Sequence, residues 1–226
     1  MTNKKVRFIA IEGIDGTGKK TQFDLLVKYV RHNLGKSVLE LDFPRYGKAS
    51  AMYVARYLNG AYGKDVAPDL ASILFAFDRW QAKPEIDRFI AAHPDGWIIS
   101  NRYVASNLAH QGGKIADQTA RQKFYVEDMD LEFKQFGILK PDINFVLLLP
   151  EAAAQENVDK KAARNYTDKK RDIHEADRNH LHNAAAAFRE LCEMYPKNFI
   201  GIDCWNSTTE KMLPIEQIHQ KIVRLL

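Results

Sequence analysis

The sequence predicts an α/β fold, a five-stranded parallel sheet flanked by helices on both faces. Three observations carry that prediction. Five short stretches rich in apolar and β-branched residues occur at 6–11, 37–42, 97–100, 143–149 and 198–202. Helical patterns fill the intervals at 19–34, 70–92, 116–136, 151–163, 173–195 and 214–226. Strands that alternate with helices cannot be joined by hairpins, so they pair in parallel and bury both faces of the sheet.

The elements follow in order. Residues 6–11 read Val-Arg-Phe-Ile-Ala-Ile, mostly apolar, as a strand buried on both faces requires. Leu25, Leu26, Tyr29 and Val30 then recur at helical spacing. Pro68, Pro84, Pro94, Pro141 and Pro196 sit near helix starts or boundaries, where a missing N–H costs least. The least apolar stretch, 159–172, is read as a lid or a solvated loop. No internal repeat occurs, and residues 1–226 are read as a single domain.

Composition narrows the function classes. The chain has 226 residues and a net charge of only +4, with acids and bases interspersed. That balance argues against a dedicated nucleic-acid surface. Cys192 and Cys204 are the only cysteines, too few for a metal framework or a disulfide scaffold. No apolar run reaches membrane-spanning length. The first residues are charged and lead into a strand, unlike a signal peptide. A soluble, cytoplasmic protein is expected.

The turn between the first strand and first helix is the most informative segment. Gly13-Ile14-Asp15-Gly16-Thr17-Gly18-Lys19 fits G-x-x-x-x-G-K, the phosphate-cradling P-loop. Glycines let backbone N–H groups close on an anion. The helix start adds unpaired N–H groups and its positive dipole end. Lys19 adds a point charge. One position departs from the pattern: Lys20 stands where a Mg²⁺-binding Ser or Thr is expected, and Thr21 points about 100° further round the helix.

In parallel sheets ligands collect at the carboxyl ends of strands. Besides the loop, those ends carry Phe43-Pro44-Arg45-Tyr46 and Asn101-Arg102-Tyr103. Arg45 and Arg102 are forks suited to a second phosphoryl group facing the loop; each would otherwise pair with a local carboxylate. Phe75 and Arg79 lie four apart on one helix face. They could stack on and hydrogen-bond a base, or simply pack and solvate.

The ordered set of motifs resembles the thymidylate (dTMP) kinase family. The pieces are Phe8-Ile9-Ala10-Ile11-Glu12-Gly13-Ile14-Asp15-Gly16-Thr17-Gly18-Lys19, Phe43-Pro44-Arg45-Tyr46-Gly47, Leu74-Phe75-x-x-Asp78-Arg79, Asn101-Arg102-Tyr103-Val104-Ala105-Ser106-Asn107, Pro141-Asp142 and Asp172-x-x-Glu175. The resemblance implies a P-loop kinase that transfers the γ-phosphoryl group of ATP to dTMP, with Mg²⁺ as cofactor and a homodimer as the assembly. It implies ATP on Gly13, Ile14, Asp15, Gly16, Thr17, Gly18, Lys19, Lys20 and Thr21. It implies dTMP on Asp15, Phe43, Arg45, Phe75, Arg79, Arg102, Ser106, Asn107 and His110. Arg45 and Arg102 would hold the acceptor phosphate, and Asp15 would approach the 3′-hydroxyl. Phe75 would stack on thymine, Arg79 would bond its edge and Asn107 its ring nitrogen. His110 would lie near the sugar's 2′ side.

Relatives carry an arginine either inside the loop or in the lid. Position 16 is glycine, so the resemblance implies catalytic cations from Lys160, Lys161, Arg164, Lys169, Lys170 and Arg171. Arg164 or Arg171 is the expected partner of Lys19, Arg102 and Asp15 in catalysis. Lys20 and Asn101 depart from the family, Asn101 standing where most relatives have aspartate. One reading is that Lys20 shares the metal's electrostatic work. Two alternatives stay open: a kinase for another nucleotide or nucleoside, and a nucleotide-binding regulator weakened in catalysis.

Overall fold

The computed structural model describes residues 6–63, 65–164 and 178–226. Its main sheet has the order β2-β3-β1-β4-β5, all parallel. The strands are β1 (Arg7–Glu12), β2 (Val38–Asp42), β3 (Trp97–Asn101), β4 (Ile143–Leu148) and β5 (Phe199–Asp203). β1 lies at the centre, and Phe8 through Ile11 are buried, which explains its unbroken apolar run. The predicted five-stranded parallel sheet is therefore observed.

The register aligns the site. Ile11 pairs with Asn101 on one side and Phe145 on the other. Asp42 pairs with Asn101. The carboxyl ends of β1, β2 and β3 thus lie side by side, and the three segments that follow them converge.

Helix α1 (Lys19–His32) starts directly after Gly18. Three helical features differ from the sequence expectations. The stretch 70–92 is two helices, α3 (Pro68–Trp80) and α4 (Lys83–Ala92). Pro68 and Pro84 each occupy a first-turn position, where proline starts a helix rather than continuing one. Ahead of them, Ala49–Ala51 forms a 3₁₀ turn leading into the short α2 (Met52–Leu58). Helix α5 (Val104–Gly112) is also absent from those expectations. All its residues except Ser106 are buried, the polar Asn107, His110 and Gln111 among them, and burial of such residues is set by tertiary packing rather than by residue type.

The stretch 116–136 is α6 (Gln118–Asp130), capped by the Asp117 carboxylate accepting from Ala120 N at 2.7 Å. It runs into a π turn, Leu131–Gln135. Beyond the sheet core come α7 (Glu151–Arg164), α8 (Arg178–Met194), a small hairpin of β6 (Trp205–Asn206) and β7 (Lys211–Met212), and α9 (Ile215–Val223). The hairpin has no counterpart in the sequence reading. Among the described residues, no helix is long and apolar enough to cross a membrane.

Candidate active site

The glycine-rich loop is built as the motif requires. Gly16 has a φ of 86°. A Cβ there would sit 2.7 Å from the carbonyl carbon of Ala154 on α7 and closer still to its oxygen. Gly18, at φ 87°, is the residue immediately before α1. Lys19 folds back into the loop, donating to Ile14 O at 2.8 Å and to Asp15 Oδ1 at 3.3 Å. Thr17 Oγ1 donates to the same Ile14 carbonyl at 2.8 Å. Burial and the nearby Arg102 guanidinium push the Lys19 ammonium down to about 8, against the opposing pull of Asp15 and Glu12. An anionic ligand in the loop would add to the counter-charge that Asp15 and Glu12 supply to this buried ammonium.

Lys20 behaves differently. Its ammonium is exposed, pairs with Asp24 one turn along α1, and lies 4.8 Å from the centre of the Phe23 ring. The Lys20 ammonium pairs with Asp24 rather than folding into the loop, and its charge acts on Asp42 at the end of β2, lowering that carboxyl against the effect of burial. The i,i+4 spacing of Lys20 and Asp24 was a signal for this surface pair.

Beside the loop lies a cavity of about 320 Å³. Eight of the nine expected acceptor residues line it: Asp15, Phe43, Phe75, Arg79, Arg102, Ser106, Asn107 and His110. Arg45 is the exception. Its backbone N donates to Asp78 Oδ2 at 2.7 Å, its Nε to Oδ1 at 3.2 Å, and its Nη2 to Ser50 Oγ at 3.0 Å. The buried Asp78 thus anchors the segment after β2, a role the sequence did not reveal.

Arg102 anchors the phosphate end. Its backbone adopts φ 64°, a left-handed conformation that costs a non-glycine residue about 1–2 kcal/mol. The guanidinium pairs with Asp15 Oδ1 and donates to Ser106 Oγ at 3.2 Å. It also meets His110 Nε2 at 3.3 Å. A guanidinium cannot accept, so this nitrogen of His110 is the acceptor. His110 Nδ1 in turn meets His180 Nε2 at 3.1 Å, a contact from α5 to α8 that no sequence motif announced. Burial pushes the Asp15 carboxyl up, but Arg102 and Lys19 outweigh it and hold the group well below the usual carboxylate range.

The far end of the cavity is a buried polar network. Arg79 Nε and Nη2 donate to Glu132 Oε2 and Oε1 at 2.6 and 2.5 Å. Asn107 Nδ2 donates to Ser72 Oγ at 2.7 Å, with Asp128 and Glu132 oxygens within 3.4 Å. The π turn sets Glu132 against Arg79, consistent with such turns appearing at functional sites. Sequence reading missed Ser72, Asp128 and Glu132. The i,i+4 spacing of the two carboxylates was visible, but nothing in it says they are buried.

Burial, reinforced by Glu132, pushes Asp128 up to about 7 from 3.8. Between those values the native protein holds a proton that the unfolded chain has lost. Stability therefore falls as pH rises through that window. Thermal melts from pH 4.5 to 7.5 should show this decline, and Asp128→Asn should flatten it. An unchanged slope in the variant would assign the pH dependence elsewhere.

Two oxygen donors stand where β2 and β3 end. Asn101 Nδ2 donates to Asp42 Oδ1 at 2.8 Å, while Asn101 Oδ1 is buried and has no hydrogen-bond partner. Burial raises the Asp42 pKa despite that hydrogen bond. An unsatisfied carbonyl oxygen beside a carboxylate suits a hard cation such as Mg²⁺, which takes few protein ligands and keeps water and phosphate oxygens. Among the described residues, no group of three or more His, Cys, Asp or Glu side chains forms a self-sufficient metal cage.

Of the expected lid cations, Lys160 pairs with Glu156 at 2.7 Å. Lys169, Lys170 and Arg171 lie outside the described residues, as do Asp172 and Glu175 and the side chains of Lys161 and Arg164.

The family model described as thymidylate kinase matches residues 11–222. A thymidylate kinase of Mycobacterium tuberculosis is 34% identical over 187 residues, spanning 81% of this chain and 84% of that protein. One from Plasmodium falciparum is 28% identical over 98% of this chain and 90% of its own length. The crystal structure of thymidylate kinase from Ehrlichia chaffeensis superposes with a TM-score of 0.65 at 20% identity, covering 98% of both chains; at that identity it speaks for the fold. With the family match spanning nearly the whole sequence, the chain belongs to the thymidylate kinase family.

Proposed function

We propose that the loop from Gly13 to Lys19 holds the ATP phosphates and that the cavity beside it holds dTMP, phosphate toward Arg102 and base toward Asn107. As a member of its family the chain is an ATP-dependent phosphotransferase that converts dTMP to dTDP. A dTMP phosphate oxygen attacks the γ-phosphorus. The bond from that phosphorus to the β,γ-bridging oxygen breaks, and ADP leaves with the electron pair. Little covalent work falls to the protein, so positioning and charge neutralisation do most of the catalysis.

The observation that carries this reading is Asn107. Its Oδ1 is buried without a partner in a residue that lines the cavity, so a ligand with an N–H at that point satisfies it. The N3–H of thymine is such a donor. Phe75, on the cavity wall, offers the flat face on which a base stacks. Arg102 supplies donors to the acceptor phosphate, and Asp15, released from part of that pairing, is free to accept from the 3′-hydroxyl. Lys19 follows the γ-phosphoryl group. Mg²⁺, when bound, neutralises charge on the ATP phosphates, and Asn101 Oδ1 and Asp42 are the protein oxygens that fit it. Residues at about 159–172 act as the lid of a single 1–226 domain, with Arg164 or Arg171 completing the cationic ring.

ADP release with Mg·ATP and a panel of nucleoside monophosphates tests the reading. Turnover strongest with dTMP supports it. Turnover strongest with another monophosphate moves the error to Phe75, Arg79, Asn107 and His110. No turnover with both nucleotides still bound would favour a regulator, and Lys20 and Asn101 would then mark the lost catalysis.

The assembly is a homodimer in this reading. Leu70, Ile73, Phe77 and Trp80 on α3 are all exposed, and their spacing puts them on one helix face. Val126 of α6 is half exposed. An apolar stripe of this kind marks a protein interface. Phe77→Glu should convert a dimer into a monomer in light scattering; a monomeric unmodified protein would refute the assignment. Burial pushes the thiols of Cys192 and Cys204 up to about 11 and about 12, which keeps them unreactive and suits a cytoplasmic location.

A further inference from the structure

The base end of the cavity contains more chemistry than contact with a base requires. Asn107 is 3% exposed, and its amide has one orientation open to it. Nδ2 faces Ser72 Oγ at 2.7 Å, Ser72 O at 3.2 Å, Asp128 Oδ2 at 3.3 Å and Glu132 Oε1 at 3.4 Å. Three of these groups can only accept when the carboxylates are ionised. The fourth, the Ser72 hydroxyl, has its own proton committed to Asp128 Oδ1. Above about pH 7, where Asp128 is ionised, turning the amide over would set Oδ1 against a carbonyl and two carboxylates, with no proton between them. Oδ1 is therefore held on the other side, where it is buried and unpartnered.

Arg79 completes the pattern. One edge of its guanidinium, Nε with Nη2, is taken by Glu132, and Nη1 donates to the carbonyl of Tyr103 at 3.5 Å. Arginine has donors and no acceptor. The cavity wall thus presents a donor at Arg79 and an acceptor at Asn107. Thymine and uracil show the complement, an O4 acceptor beside an N3–H donor. Cytosine shows the reverse, an N4 amino donor beside an N3 lone pair.

We propose that Asp128, with Ser72 and Glu132, sets the polarity of the Asn107 amide and so makes this site select 4-oxo pyrimidines against cytosine. The inference rests on the reading of this cavity as the nucleotide acceptor site. Asp128 itself touches no base in this scheme. It is a positioning residue that acts through Asn107, and its effect belongs in discrimination rather than in turnover as such. Glu132 carries a double duty, aiming the Arg79 donors and accepting from Asn107 with one carboxylate. Replacing it would blur the two effects, so the cleaner probes are Asp128 and Ser72.

The test is the ratio of kcat/KM for dTMP to that for dCMP, in the unmodified enzyme, Asp128→Asn and Ser72→Ala. Asp128→Asn puts an amide donor beside Asn107 and lets that amide turn. The ratio should fall by at least about tenfold, since a site with its polar groups matched to one edge rejects the other strongly. Ser72→Ala removes one acceptor and keeps the backbone carbonyl, so a fall of about threefold is expected. If both variants lose activity equally toward dTMP and dCMP, the ratio stays put and the proposal is overturned. Should Asp128→Asn not fold, the ratio in Ser72→Ala alone decides: a fall supports the proposal and an unchanged ratio overturns it. An unmodified enzyme that prefers dCMP would instead overturn the acceptor assignment itself, before any variant is considered.

Discussion

Arg102→Lys should lower kcat/KM for dTMP by about a thousandfold and leave ATP affinity nearly unchanged, because a lysine cannot reproduce a guanidinium fork. Arg102 meets Asp15, Ser106 Oγ at 3.2 Å and His110 Nε2 at 3.3 Å from one planar head group. An ammonium is a single centre and cannot satisfy those groups together with two phosphate oxygens. The backbone sharpens the comparison. Position 102 sits at φ 64°, and lysine bears the same left-handed cost as arginine. The variant therefore isolates the head group from the strain. Steady-state kinetics with dTMP varied, beside a direct ATP titration, separates the two sites. An equal loss of ATP affinity would show that Arg102 serves the donor side or the loop's shape instead.

The second large effect is expected at Gly16. The family resemblance implies an arginine inside the phosphate loop of some members, and inserting one here should abolish ATP binding and destabilise the protein by about 3 kcal/mol or more. A side chain at position 16 would meet the backbone of Ala154, 2.7 Å from its carbonyl carbon. Backbone cannot step aside as a flexible side chain can. The φ of 86° adds strain for any L-residue. The loop is also tied to α7 by Asn157 Nδ2, which donates to Gly16 O at 2.9 Å. Gly16→Ala should fail for the same reason, since the clash begins at Cβ. The drop in Tm should be about 6–12 °C for a chain of this size, with no upward shift on adding ATP. A folded Gly16→Arg enzyme with ordinary turnover would show that α7 yields readily, and that this chain can exchange a lid cation for a loop cation.

Much of this molecule is legible in one dimension. The first strand, the phosphate loop and the first helix are adjacent in sequence, and their signals are local: an apolar run, glycines at set spacing, then a helical period. The alternation of strands and helices implied a parallel sheet, and that sheet told which residues would lie at its carboxyl edge. Eight of nine expected acceptor residues do line one cavity because strand ends in register bring their following segments together. The resemblance to a known family supplied a role for each of them there.

Other features have no local signature. Helix α5 is only nine residues long and buries the polar Asn107, His110 and Gln111, so neither its length nor its residue types announce a buried helix. Sequence left Arg45 between a phosphate and a local carboxylate, and packing shows Asp78 holding it. Asp128 and Glu132 carry no local signal of burial; it is α6 and its π turn that place them against Arg79, Ser72 and Asn107. Glycine at position 16 fits the motif, but the reason it cannot be anything else is a carbonyl on α7. By itself the sequence determined the fold class, the phosphate loop and the family, because strand, loop and helix signals depend on neighbouring residues and their spacing. Tertiary structure alone decided which charges are paired, which way the Asn107 amide points and where a side chain has no room, because those outcomes depend on partners that only folding brings within a few ångströms.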